Sequence, residues 1–148
     1  MVRHKQRYMV IEVNPQPLRK NTPLVLQSSS LYETILLKVQ QLHGDFGVAA
    51  IRAGFNAKYF NEKTRIAIIR SRHGPHKLIT SSLPFIKDLD KKCVRLDTIY
   101  MSATLKHCFK FILNYQRRKV DEICATLSDD DEKMKVREDL LGFAMNVQ

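Results

Sequence analysis

One closely spaced pair among five histidines, three cysteines and a crowd of arginines are the side chains of this sequence whose types and spacing could do chemistry. His73 and His76 stand three apart across a Gly74-Pro75 pair, in the stretch RIAIIRSRHGPHK that runs from Arg65 to Lys77. Paired histidines raise the question of a metal, but zinc takes three or four converging ligands. The Gly-Pro turn keeps the pair off a common helix face, and Cys93 lies beyond a further helical stretch. Cys93, Cys108 and Cys124 contain no CxxC, which reads as reduced, buried thiols. Asp88 and Asp90 are two apart, as a solvated pair would be, and no GxSxG, HExxH or glycine-rich phosphate loop occurs. The expectation is a chain with no metal, no cofactor and no catalytic side chain of its own.

Positive charge is what remains. The chain of 148 residues carries 25 Lys and Arg against 15 Asp and Glu, a net charge of +10. Residues 1–77 hold 13 of the cations and only 4 of the acids, whereas residues 78–148 hold 12 and 11. An excess of this size favours a polyanionic partner, through phosphate neutralisation and counterion release. No apolar run approaches the roughly 18–20 residues of a membrane span. The opening MVRHKQRYMVIEV alternates like a strand, so no signal peptide is expected either.

The elements that must position these residues follow from periodicity. RYMVIEV reads as a first strand, and NPQPLRKNTP, with three prolines, as a loop. SSSLYETILLKVQQLHG reads as a helix, with a Ser30/Glu33 capping box, an apolar face of Leu31, Ile35, Val39 and Leu42, and a stop at Gly44. FGVAAIRAGFNAKYF (46–60) alternates and is expected as a half-buried second strand, and TRIAIIRSR as the third. HKLITSSLPFIKDL has helical spacing, with Pro84 to kink it or start a second segment. VRLDTIYMSA (94–103) is the fourth strand, with Val94, Leu96 and Tyr100 on one face. TLKHCFKFILNYQRRKVDEICATL is a long helix striped by Leu105, Cys108, Phe109, Ile112, Val120, Ile123 and Leu127. Ser128 and the acids after it should open a last helix. The fold class expected is α+β: a ferredoxin-like βαββαβ sandwich with an antiparallel four-stranded sheet, plus C-terminal helices. One domain over 1–148 is expected, with the core in 1–103 and the helices in 104–148. The open sheet face is too apolar for water, so the C-terminal helices or a partner should cover it.

On this element order a phosphate-cradling hydrolase would need a glycine-rich loop after the first strand, and NPQPLRKNTP has no glycine. An RNA binder that stacks bases would carry aromatics on its third strand, and RIAIIRSR has none. The candidates are therefore phosphate contacts. Arg65, Arg70, Arg72 and Lys77 surround the third strand, and Arg52 and Lys58 lie on its neighbour. On the long helix Lys106, Lys110 and Arg117 share an edge, with Arg118 adjoining. A protein-interaction scaffold whose basic residues matter little is the alternative from another class.

MVRHKQRY, HGDFGVAA with GFNAKYFN, TRIAIIRSR, SSLPFI and LKHCFKFILNYQRRK, in that order from residue 1 to about 125, resemble one family. It is the small protein subunit shared by eukaryotic ribonuclease P and ribonuclease MRP, called processing-of-precursor subunit five, with archaeal relatives. The resemblance implies a protein that binds and stabilises a catalytic RNA and does no chemistry itself. That RNA, with bound magnesium, removes the 5′ leader of precursor tRNA, and the MRP RNA serves ribosomal RNA processing. Implied partners are the ribonuclease P and MRP RNAs, precursor tRNA through the holoenzyme, and other protein subunits, among them a TIM-barrel subunit and a second small subunit of similar fold. The nucleus and nucleolus are the implied location. The chain departs from the family in having Ser102-Ala103-Thr104-Leu105 where relatives tend to a Gly-Thr-Ile-type turn. Its tail, SDDDEKMKVREDLLGFAMNVQ, reads as a packed helix.

Overall fold

A computed structural model describes residues 3–16 and 24–145, with side chains described through Asp139 and at Leu141. Of the proline loop expected over 14–23, residues 17–23 lie outside the described residues, as do 146–148 of the tail. The chain divides into two compact units, Met1–Thr104 and Leu105–Gln148.

The first unit is an α+β fold built on a five-stranded antiparallel sheet. Its elements are β1 (Gln6–Pro15), α1 (Ser28–Arg52), β2 (Asn56–Asn61), β3 (Ile66–Arg72), α2 (His76–Ser82), β4 (Asp88–Leu89) and β5 (Lys92–Ser102). The strand order is β2-β3-β1-β5-β4, which places β1 and β3 inside the sheet. The expected count of four strands is corrected by β4, which folds back on β5 through Asp90 and Lys91. Both residues take positive φ (50° and 61°), as a two-residue hairpin turn of matching twist requires. The expected helix 76–89 is accordingly short: α2 ends at Ser82 and Pro84 sits in a single 3₁₀ turn, Leu83–Phe85.

One face of the sheet carries the core. Met9, Ile11, Val13, Ala67, Ile69, Val94 and Leu96 meet Leu31, Ile35, Val39 and Ile51 of α1, Ile79 of α2, and Leu83, Ile86 and Leu89 beyond it. Strand residues two apart and helix residues four apart produce this face, as the periodicity dictates. Ile86 and Leu89 are buried as expected, but from extended chain rather than from a helix.

Several local expectations are overturned. Residues 46–52, read as the start of a strand, are the second part of α1. Ala49, Ile51 and Ala53 fall on one face of a two-residue period with Arg52 on the other, yet alanine is the best helix former, and the segment buries Gly47 and Ile51 four residues apart. Gly44 breaks the helix without ending it: with φ 69° and ψ −166° it occupies a region essentially restricted to glycine. Leu42, two residues before that break, is 45% exposed instead of joining Leu31, Ile35 and Val39. The Ser30/Glu33 capping box does not form, since the helix already begins at Ser28 with Gln27 as its N-cap and no side-chain cap bond. On β5, Val10 pairs with Tyr100 and Ile11 with Thr98, so Ile99 is an extra residue. This bulge turns Tyr100 onto the face opposite Val94 and Leu96. Cys93, expected buried, is exposed, with its Sγ 3.4 Å from Asp88 Oδ1; Cys108 and Cys124 are buried.

The second unit is a helical hairpin of α3 (Leu105–Thr126) and α4 (Asp130–Met145). Its buried stripe runs every fourth residue through Cys108, Ile112, Gln116, Val120 and Cys124. Ile123, expected on the stripe, is 41% exposed, and Leu127 lies past the helix end. Asp129, not Ser128, opens α4: its side chain accepts from the Asp131 amide and its carbonyl from the Lys133 amide. Asp130, Asp131 and Glu132 fill the first turn, where the helix dipole favours acids.

Candidate nucleic-acid interface

Arg70 and Arg72 stand on the sheet face opposite the core, because the intervening Ser71 is fully buried on the core side. Register decides their neighbours. Arg70 pairs with Tyr8 of β1 on one side and Asn56 of β2 on the other; Arg72 pairs with Gln6. Tyr8 in turn pairs with Ser102 of β5. The absence of aromatics from β3 is thus offset by its neighbours, since Tyr8, Tyr59 and Tyr100 stand on this same face. The Nε atoms of both arginines are shielded and have no hydrogen-bond partner. Arg72 also lies across Gly54, where an added Cβ would sit 2.7 Å from the Arg72 Cγ. Gly54 therefore marks a close backbone approach that a larger residue would obstruct.

The pairing gathers four chain segments at this end of the sheet. They are the start of β1, the α1–β2 junction, the end of β3 with the start of α2, and the end of β5. Residues 3–8, 50–58, 70–78 and 100–104 contain Arg3, Lys5, Arg7, Arg52, Lys58, Arg70, Arg72 and Lys77, and no Asp or Glu. The opposite end is mixed: Arg95 pairs with Asp97 at 2.8 Å, and Glu12, Glu62, Asp88 and Asp90 alternate with lysines. A carboxylate-free cluster of this kind suits a polyanion that enters against one edge.

Of the residues picked out in the sequence, Arg52, Lys58, Arg70, Arg72 and Lys77 come together at that end. Arg65 does not. It occupies the β2–β3 turn at φ 58°, its carbonyl accepting from the Val13 amide at 2.8 Å. The Asn61 side chain builds that turn by accepting from the Lys63 and Thr64 amides. The whole of β3, about 20 Å at some 3.3 Å per residue, separates Arg65 from Arg72. Lys106, Lys110, Arg117 and Arg118 are exposed on α3 in the second unit. Phe111 and Tyr115 stack there at 5.8 Å, with Lys119 Nζ 4.8 Å above the tyrosine ring. Arg3, Lys5 and Arg7 are the members of the cluster that sequence reasoning passed over. The signal was two basic stretches, 3–7 and 70–77, flanking apolar strands; only antiparallel pairing of those strands makes them neighbours.

The turn after β3 belongs to the same corner. His73 stacks on His76, ring centroids 5.2 Å apart, and the Gly74 amide donates to His76 Nδ1 at 3.0 Å. Burial pushes the His76 pKa below its ordinary 6.5, and the charges of His73, Arg7 and Lys77 push the same way, against a backbone hydrogen bond to Arg72. The histidines serve the turn, and among the described residues no three His, Cys, Asp or Glu side chains gather as metal ligands.

A second surface is apolar. Thr34, Leu37, Lys38, Gln41 and Leu42 of α1 face Phe85, Ile86, Lys87 and Asp88 across a groove of about 500 Å³. Leu37 and Phe85 are each 57% exposed.

The chain is similar to proteins of known assembly. Ribonuclease P/MRP protein subunit POP5 of Bos taurus is 33% identical over 141 residues, covering 93% of this chain and 82% of the relative. The subunit of the same name from Homo sapiens is 31% identical, covering 93% and 85%. A chain in a cryo-EM structure of yeast ribonuclease MRP superposes with a TM-score of 0.49 at 12% identity, over 86% of this chain and 99% of that one. The Rpp14/Pop5 family model matches residues 7–128, nearly all of the first unit and the whole of α3, and the chain belongs to that family.

Proposed function

We propose that the chain is a non-catalytic protein subunit of ribonuclease P and ribonuclease MRP that holds the particle's RNA by its phosphates. The carboxylate-free basic end of the sheet carries the reading, in a chain whose relatives bear the name of that subunit. Arginines at strand ends suit phosphate and shape recognition of a folded RNA, whose bases are hidden within helices. Arg70 and Arg72 are the central contacts in this reading; Arg52, Lys58 and Lys77 flank them, joined by Arg3, Lys5 and Arg7. The α3 cations form a separate contact, and Arg65 is peripheral. The cleavage of precursor tRNA and the processing of ribosomal RNA belong to the RNA and its magnesium. The frame is a ferredoxin-like split βαβ with β4 added at its edge, a reading supported by the β2-β3-β1-β5 order. Nuclear and nucleolar residence goes with the same assignment.

The scaffold reading is favoured by one observation, the exposed groove around Leu37 and Phe85. It fits inside the first reading as the place for a protein subunit, the TIM-barrel subunit and the second small subunit being the candidates.

Purifying the chain from its source and sequencing the bound RNA tests the assignment; recovery of ribonuclease P or MRP RNA is expected. With that RNA in vitro, log affinity should fall linearly with log salt, by about 0.7–0.9 per phosphate contact. Arg70→Ala and Arg72→Ala should each weaken binding and flatten the slope by about one such step. An affinity indifferent to salt, or double-variant binding equal to wild type, leaves only the scaffold.

A further inference from the structure

The turn between β3 and α2 holds an arrangement that structural duty alone does not require. His76 is 6% exposed, yet the charged groups facing it are all cationic or capable of becoming so: Arg7 from β1, His73 from the turn, Lys77 from α2. No carboxylate is among those groups, as described. Two cations and a second imidazole around one ring disfavour that ring's protonated form. An anion at their centre reverses the sign of the interaction.

The turn is also built to receive one. Gly74 takes φ 101°, and a Cβ placed on it would meet nothing within 4 Å, so the space above it is open. Its amide is spent on His76 Nδ1, which is an acceptor only while the ring is neutral. Protonation of Nδ1 turns the acceptor into a donor and releases the Gly74 N–H. Ring and amide could then both donate to an oxyanion, beside Arg7 and Lys77. Backbone amides and cations converging on an open turn are the recurrent recipe for a phosphate site.

We propose that Arg7, His73, Gly74, His76 and Lys77 form a single-phosphate site on the RNA-binding edge, and that its occupation is accompanied by proton uptake on His76. The inference rests on the RNA-binding reading and adds to it a specific contact and a linked proton. RNA affinity then depends on pH in a range where neither arginine nor phosphodiester titrates.

Two measurements test it. Affinity for a fluorescent hairpin RNA is measured at fixed ionic strength from pH 7.5 to 5.5. One linked proton gives up to tenfold per pH unit, so wild type should tighten about three- to tenfold overall, and His76→Gln should not. The second needs no variant. The His76 ring C–H resonances are titrated by NMR with and without sodium sulfate, a dianion throughout this range, and sulfate should move the midpoint upward. Salt-dependent RNA binding that is flat in pH overturns this inference and leaves the broader reading intact. Absence of RNA binding at every pH overturns that reading as well. A sulfate response without a pH-dependent RNA affinity assigns the corner to free anions and equally overturns the proposal.

Discussion

Arg70 and Arg72 reach the same surface because a strand returns a side chain to one face every second residue, and Ser71 between them is spent on the core. Residue chemistry at this corner carries a stability consequence apart from any ligand. His76 titrates below 6.5, chiefly because it is buried and then because His73, Arg7 and Lys77 face it. The folded protein therefore binds fewer protons than the unfolded chain between the lowered value and 6.5. Stability is at its full level above pH 6.5 and declines as pH falls through that window. Urea midpoints for the RNA-free protein should drop between pH 7 and 5.5, and His76→Gln should remove that component of the drop. The thiols differ in the same physical terms. Burial raises the Cys108 pKa to about 11, and the Asp88 carboxylate, by hydrogen bond and charge, raises that of exposed Cys93.

At the scale of elements, Gly44 is the position where α1 depends on one residue type. Gly44→Ala meets no steric neighbour, so its cost is the backbone conformation alone. Thermal unfolding should show a loss of about 1–3 kcal/mol. The same helix shows what was legible in the sequence. Leu31, Ile35 and Val39 recur at helical spacing with nothing to contradict them, and they are the buried face. Residues 46–52 satisfied a two-residue period by accident of alanine placement, and local pattern could not separate helix from strand there. The third strand and its terminal arginines were plain, since an unbroken IAII run between cations leaves few options. The bulge at Ile99 was not, because one extra residue leaves no mark on composition. Nor was the contribution of Arg3, Lys5 and Arg7, which depends on register between strands some sixty residues apart. Two-residue β4 is below the length at which periodicity carries information.

For the whole molecule, charge and apolar surface occupy different places on the first unit. The basic cluster lies where β1 begins and β3 ends. The groove lies where α1 passes the turn leading to β4. RNA interfaces are polar and positively charged, whereas an exposed leucine and phenylalanine suit a protein. Leu37→Asp with Phe85→Asp should therefore release co-purifying protein subunits and leave the salt slope for RNA unchanged. Both side chains are largely exposed, so folding should shift by no more than about 0.5 kcal/mol each. Mass spectrometry of the purified particle, with RNA titrations on the same variant, checks both halves.

The central position of β1 also dictates when the sheet can be completed during synthesis. β1 begins at Gln6, but its partner β5 begins only at Lys92. At about 5–20 residues per second, a ribosome needs roughly 4–17 s between the two, and one edge of β1 lacks its partner throughout. Met9, Val10 and Ile11 have no exposure in the finished fold, so the waiting strand is apolar on both sides. Arg3, Lys5 and Arg7 precede that run as gatekeepers, charges that make pairing with another nascent chain unfavourable. The residues proposed to meet phosphate would thus have an earlier occupation, guarding the strand until its last partner is made.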